Sequence, residues 1–465
     1  MSIENDRIVL KVIVYDFKIL QIRAIMNVAR KYYKEIYKMR EDFLLKSKKA
    51  ENLYFRYAKE MPIIDFHNHL CVADIKEDKK YGDITSLWLA PDPYKHRLMR
   101  ICGIEEHFIT GDAEPFEKFQ KFCHVFPYIA GNPVYDWARM ELSTVFGVEH
   151  AINGENAKQI YDFVNEKLAS PEFSAWGILS LFGIEYQSPV ATLLEDLSPF
   201  DGKTIAPSLR GDDLLSPTEE LKSELAAKSG VRIIDDVTYI KAISVMLDRF
   251  AQKGCRFADH SLDAGFFRDD RDGKKTEMLV RLGNEYSKRG WILLLHVGAK
   301  RQTSPRLRAL SGPVGGYAAV GEGFELSALT DLLGKIEEGG LPDTVLFPLN
   351  MSDQAPLAVM QGSFSEDGVP SKVQLGPAWW WCDQAFGIRN TLTSVASFGA
   401  VSQFIGMTTD SRSILSFVRH DYFRRLFCSW MDEQNTVGEW DLPEEIQAEI
   451  VRKVCYQNAK DKIER

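Results

Sequence analysis

His67 and His69 stand two residues apart in the run Pro62-Ile63-Ile64-Asp65-Phe66-His67-Asn68-His69-Leu70. Side chains of an extended strand alternate between faces, so both imidazoles project the same way and can reach one divalent cation. Two neutral imidazoles rarely hold an ion without an anionic third donor. Asp410, in Gly406-Met407-Thr408-Thr409-Asp410-Ser411-Arg412-Ser413, supplies a candidate, although Asp-Ser-Arg-Ser also reads as a helix N-cap. Other polar residues follow apolar runs in the same manner: Glu195 and Asp196, Arg210, Asp259 and His260, His296 after Trp291-Ile292-Leu293-Leu294-Leu295, Asn350, the triple Trp379-Trp380-Trp381, and Arg412. Each has an ordinary alternative. His296 fits a hydrogen-bonded core histidine, Arg210 has Asp212 and Asp213 beside it for a surface ion pair, and one Trp of the three fits core packing while another walls a polar ligand. Buried ionisable groups are costly unless paired or metal-bound, so a ring of them at strand ends reads as one site.

The elements that must position these residues form an alternation. Apolar, β-prone runs at 63–66, 186–193, 203–209, 254–258, 291–296, 344–349, 372–376 and 402–409 predict eight strands. Helical patterns at 216–229, 236–252, 274–289, 324–338, 353–362 and 383–398 separate most of them. This predicts an α/β fold, a distorted (β/α)8 TIM barrel, whose chemistry sits at the C-terminal ends of the strands. Residues 77–182 carry aromatic-rich helical patterns punctuated by prolines, and predict a helical insertion after the first strand. No Gly-x-Gly-x-x-Gly turn follows an early strand, which disfavours a dinucleotide-binding sheet.

The 465 residues suffice for such a barrel over 39–465. Residues 1–38 read as an N-terminal appendage outside the fold, with no uncharged run long enough to span a membrane. The formal net charge of −9 argues against nucleic acid as a partner, and makes any cationic cluster a local feature. Seven scattered cysteines without a Cys-x-x-Cys pair fit a reduced, cytoplasmic protein. A small-molecule substrate, no membrane partner and a homo-oligomer are expected.

A longer series of blocks resembles the uronate isomerases, a branch of the amidohydrolase superfamily. They are Met61 to Leu70, Tyr94-Lys95 with Arg97, Gly103-Ile104 with Ile109-Thr110-Gly111, Gly131-Asn132-Pro133 with Tyr135 and Trp137, and Gly254-Cys255-Arg256 with Asp259-His260. His296-Val297-Gly298-Ala299, Gly376-Pro377-Ala378-Trp379-Trp380, Gly406 to Ser413 and Phe423-Arg424-Arg425 complete it. The resemblance implies interconversion of D-glucuronate with D-fructuronate, or of D-galacturonate with D-tagaturonate. It implies a divalent metal, usually zinc, on His67, His69 and Asp410. It also places Tyr94, Arg210 and Arg412 against substrate, with Asp259, His296, Trp379 and Trp380 nearby. Three positions depart from the family's pattern: Pro93 where a His usually precedes Tyr94, Leu194-Glu195-Asp196-Leu197 in place of Thr-Asp-Asp-Pro, and Arg210-Gly211-Asp212 in place of Arg-Pro-Asp.

Aldose–ketose isomerisation opens the sugar ring and moves a proton between C2 and C1 through an enediol. A metal polarises the sugar oxygens, Asp410 with His67 serves ring opening, and Tyr94, activated by a nearby Arg210, carries the proton. Arg412 is the residue expected to fork the substrate carboxylate. A metal-dependent lactonase acting on a sugar acid is the second reading of the same residues, and a non-catalytic sugar-acid-binding barrel the third.

Overall fold

The computed structural model describes residues 39–465; the appendage expected at 1–38 lies outside them. Nine strands form: β1 Ile63–Asn68, β2 Ile184–Thr192, β3 Ser208–Arg210, β4 Phe257–Leu262, β5 Ile292–Val297, β6 Ala299–Lys300, β7 Ala319–Val320, β8 Asp343–Pro348 and β9 Val373–Leu375. Seven make one parallel sheet in the order β1-β2-β3-β4-β5-β8-β9, while β6 and β7 pair as a short antiparallel ribbon. Parallel neighbours in sequence order, joined by helical crossovers except between β2 and β3, give the barrel-like α/β architecture.

The eighth strand expected at 402–409 is absent. Val401–Gln403 is a 3₁₀ turn, and the following residues pass between β9 and β1 without joining the ladder. On one side the Ile405 N–H donates to Oε1 of Gln374 at 3.0 Å. On the other, the Asp410 N–H donates to the His67 carbonyl at 3.0 Å and the His69 N–H to the Ser411 carbonyl at 2.8 Å. Thr408 Oγ1 accepts from the His67 N–H at 2.8 Å. Gly406 explains the irregularity: its φ is 90°, and a Cβ there would lie 2.2 Å from the Val454 carbonyl oxygen. The barrel is therefore seven strands closed by a hydrogen-bonded seam.

Two apolar layers hold it. Inside the barrel, Phe66, Tyr186, Phe257, Leu294 and Phe347 pack together, with Phe66 and Phe257 stacked at 5.7 Å. The larger layer lies between strands and helices. Between β1 and β2 every regular element is a helix. Several of these start where proline occupies the first turn behind a polar cap, as at Asp92 before Pro93–Ile101 and Asn132 before Pro133–Phe146. Among the described residues no helix is long and apolar enough to cross a membrane.

Candidate active site

A cavity of about 410 Å³ opens at the C-terminal ends of the strands. His67, His69, Tyr94, Glu195, Arg210, His296, all three tryptophans, Asp410 and Arg412 line it. The residues expected to hold metal or meet the substrate are all on this wall except Asp259, which stands one layer behind it; Asp196, His260 and Asn350, also read as part of the ring of strand-end residues, are not on it.

His67 and His69 reach the same carboxylate oxygen. Their Nε2 atoms lie 3.2 and 3.1 Å from Asp410 Oδ1. Ligands about 2.1 Å from one ion at tetrahedral or octahedral angles stand about 3.0–3.4 Å apart, so these spacings fit a shared divalent cation. The three donors also form a compact group with atoms within 4.8 Å of one another. His67 is buried, and neither of its ring nitrogens has a hydrogen-bond partner among the described residues. Alternation along β1 is not the whole cause of this arrangement. The β1–β2 register shifts between Asp65 and Asn68, and there Phe66 enters the barrel core while His67 faces the cavity.

Asp410 is held from all sides. Its other oxygen accepts from the Trp379 indole N–H, and its φ of 46° is the left-handed conformation that non-glycine residues seldom adopt. Burial opposes its ionisation, but His67 and His69 hold the carboxyl well below the usual range. Burial pushes His69 down to about 4, whereas Asp259 and Asp410 overcome burial to raise His67. Asp410 does not cap a helix: Ser413 caps the 3₁₀ turn Ile414–Phe417 by accepting from the Leu415 N–H.

Behind the cavity, buried Asp259 orders two neighbours. Its Oδ1 lies 2.6 Å from His296 Nδ1, leaving His296 Nε2 without a partner on the cavity side. Its Oδ2 accepts from Arg210, which also donates to Ser261 Oγ at 2.7 Å and pairs with Asp212 at 2.7 Å. Despite burial, Arg210, His296 and His67 hold the Asp259 carboxyl well below its ordinary value. His260, the next residue on β4, faces away and lies 2.9 Å from the Tyr286 hydroxyl.

Tyr94 departs from the expectation. Arg210 is tied to Asp212, Asp259 and Ser261, while the Tyr94 hydroxyl donates to Asp383 Oδ2 at 2.7 Å. The Arg419 guanidinium lies 4.9 Å from the Tyr94 ring. Trp137 and Trp381 flank that ring edge-on at 5.7 and 5.5 Å. Pro93 occupies the first turn of its helix, and Asp92 caps that turn by accepting from the Tyr94 N–H at 2.9 Å.

Arg301 and Asp383 carry no signal in the sequence, and Trp381 stood out only as one of the triple Trp. Arg301 stacks 4.7 Å from the Trp380 ring and donates to Asp263 at 3.0 Å. Arg412 is exposed to the cavity mouth, and among the described residues its guanidinium has no ion pair or hydrogen bond. Burial of its stem and repulsion from Arg210 and Arg301 lower its pKa, while Asp410 opposes them. Three guanidiniums thus converge in a chain whose net charge is −9. Of the family departures, Glu195 lines the cavity and accepts from the Thr192 N–H at 3.0 Å, while Asp196 turns to Ser198 at the surface. Gly211 lies so close to His260 that a Cβ would meet its ring at 2.5 Å.

Comparison with known proteins gives one consistent answer. The family model described as glucuronate isomerase matches residues 36–275 and 265–462. The uronate isomerase of Caldanaerobacter subterraneus subsp. tengcongensis is 35% identical over 462 residues, covering 91% of this chain and 98% of that protein. That of Caldicellulosiruptor bescii is 37% identical over 459 residues with the same coverage. The solved uronate isomerase of Thermotoga maritima superposes with a TM-score of 0.84 at 27% identity, over 91% of this chain and 99% of its own. The glucuronate isomerase of Caulobacter crescentus, at 22% identity and a TM-score of 0.82, covers 92% of this chain and 97% of its own and shares the fold.

Proposed function

The chain belongs to the glucuronate isomerase family, and from that premise we propose that it interconverts aldose and ketose hexuronates, D-glucuronate with D-fructuronate and D-galacturonate with D-tagaturonate, in the cavity at the barrel mouth. The observation that carries the assignment of residues is the meeting of three cation donors, His67, His69 and Asp410, with three guanidiniums in one cavity. One set suits the sugar's hydroxyl and carbonyl oxygens and the other its carboxylate.

His67, His69 and Asp410 would hold a divalent metal, and two imidazoles with one carboxylate are a ligand set that zinc favours. When bound, the metal supplies Lewis-acid polarisation of the sugar oxygens. Arg412, lacking a protein partner, receives the substrate carboxylate through its planar fork. Asp410 and His67 exchange the proton that ring opening moves between the ring oxygen and the anomeric hydroxyl. Tyr94 carries a proton between C2 and C1 of the open chain. Asp259 fixes Arg210 and His296 so that the free N–H groups of Arg210 donate to sugar hydroxyls and the His296 Nε2 lone pair accepts from one, and Trp379 and Trp380 wall off water from the sugar face. All seven cysteines are unpaired, which suits a reducing cytoplasm.

The test is direct. Metal-replete protein is incubated with D-glucuronate in D₂O and followed by proton NMR. Ketose signals and exchange at the carbon-bound positions are expected. Sugar-acid binding without turnover, or acid release from an aldonolactone as the only activity, would overturn the reading.

A further inference from the structure

The Tyr94 hydroxyl faces a buried charge cluster that the reaction as described leaves unused. Asp383, two residues after Trp381, is buried, and its Oδ2 accepts the Tyr94 hydroxyl at 2.7 Å. Its Oδ1 has no hydrogen-bond partner among the described residues. Arg419, equally buried, brings Nη1 to 3.7 Å from the same Oδ2. Deeper still, Lys95 pairs with Asp92 at 2.5 Å and with Glu141 at 3.2 Å. The cluster thus holds three carboxylates, Asp92, Glu141 and Asp383, against two cations, Lys95 and Arg419. Lys95 is committed to Asp92 and Glu141, so Asp383 is the carboxylate left with Arg419 at 3.7 Å and a phenol. A buried cluster with one carboxylate in excess is suited to taking up one proton, and Asp383 is where it goes.

We propose that Asp383 is the proton partner of Tyr94 in the isomerisation, an inference that rests on Tyr94 being the carrier between C2 and C1. As the C2–H bond breaks, its electron pair enters the enediol and its proton bonds to the Tyr94 oxygen. The Tyr94 O–H proton passes at the same time to the Asp383 carboxylate. The return runs backwards: Asp383 gives its proton to Tyr94, and Tyr94 gives one to C1 as the enediol collapses to the ketose. Over the same steps the C2 hydroxyl gives its proton to O1, which carries the carbonyl electron pair once the C1=C2 bond forms, so each bond formed matches one broken and no outside oxidant or reductant enters. Asp383 touches substrate only through Tyr94 and is a positioning residue that also stores the proton.

The arrangement answers a physical difficulty. Loss of solvent around the Tyr94 hydroxyl, together with the Asp383 carboxylate, pushes its pKa well above the ordinary phenol value. A free phenolate is therefore out of reach near neutral pH, and the relay avoids forming one. Burial pushes Asp383 up to about 7, Arg419 and the Tyr94 hydrogen bond acting against it and Asp410 with it. Both of its protonation states are then accessible where a proton must come and go. The charged and titratable groups facing Asp383 are Tyr94, Arg419 and Tyr422, with Cys382 adjacent and Asp410 across the cavity.

The experiment compares steady-state isomerisation of D-glucuronate by metal-replete wild type, Asp383→Asn, Asp383→Glu and Tyr94→Phe from pH 5.5 to 9, with folding followed by thermal melts. In the wild type kcat should fall toward tenfold per pH unit below about 7, because only ionised Asp383 accepts the proton. Asp383→Asn should lose about 10²-fold or more in kcat with KM nearly unchanged, and the acid limb should vanish. Asp383→Glu should restore part of the rate and bring the limb back at a shifted pH. If Tyr94→Phe is inactive while Asp383→Asn keeps both kcat and the limb, the relay is overturned and the role of Tyr94 survives. If Tyr94→Phe keeps the wild-type kcat, the carrier assignment itself falls and the relay with it. Should Asp383→Asn not fold, an unmoved limb in Asp383→Glu overturns the relay by itself.

Discussion

Replacing Asp410 by asparagine keeps the size of the side chain and its acceptor for the Trp379 indole, but removes the anionic donor shared by His67 and His69. The consequence can be read without any turnover assay. A ligand that binds only the folded state stabilises it by about 2.7 kcal/mol when present at about 100 times its dissociation constant. The described residues number 465 − 38 = 427. At about 2.1 cal/mol/K per residue, the unfolding entropy is then about 0.9 kcal/mol/K, and the melting midpoint should rise by about 3 °C. Losing one of three protein donors should weaken binding by about 10²-fold, the upper end of the roughly 10- to 100-fold cost of losing an outer-shell partner. At the same metal concentration the gain falls to about 0.4 kcal/mol, a rise below about 0.5 °C. Chelator-treated wild type and Asp410→Asn should be scanned by calorimetry with and without zinc at that concentration. An equal rise in both proteins, or none in the wild type at saturating zinc, would refute the ligand assignment.

Arg412→Met should raise KM for hexuronates about 10- to 150-fold while kcat changes much less, since a charged hydrogen bond contributes about 1.5–3 kcal/mol; an unchanged KM would remove Arg412 from the carboxylate contact. His96 is buried and its pKa is pushed down to about 4 by burial, so between pH 6.5 and 4 the unfolded chain binds a proton that the folded chain does not. Stability should therefore fall with falling pH, this group losing about 2 kcal/mol from pH 7 to 5, and urea titrations at both pH values should show that loss shrinking in His96→Asn. Gly211→Ala should destabilise by about 1–3 kcal/mol, because its Cβ would press on the buried His260 ring; an unchanged urea midpoint would show that the ring yields freely.

Much of the site was legible because strands announce themselves before their functional ends. The apolar run before His296 and the pair Ile63-Ile64 are β5 and the start of β1 as read from the sequence. β4 was placed too early, at 254–258, because Asp259, His260 and Ser261 look like the end of a strand. They lie inside it, Asp259 held by Arg210 and His296 and His260 by the Tyr286 hydroxyl. The closing strand failed for the opposite reason: residues 402–409 have strand-like composition, but Gly406 and the threonine hydroxyls replace the ladder by side-chain bonds. The Tyr94–Asp383 contact joins residues 289 positions apart and leaves no local signature. Arg301 sits in Lys300-Arg301, which reads as an ordinary solvated charge until the β6–β7 ribbon brings it over Trp380.

The seam joins Asp65 to Thr408 across 343 positions of chain, and the two halves of the cation-binding set lie on its opposite lips. A polypeptide emerging from the ribosome therefore carries an incomplete set until most of its length has been made. Likewise, a single backbone nick in an intervening loop would leave two pieces, each deficient alone, whose mixture regains affinity only by reassembling the joint. On the proposed ligand assignment, metal uptake is in that sense a readout of completed tertiary structure.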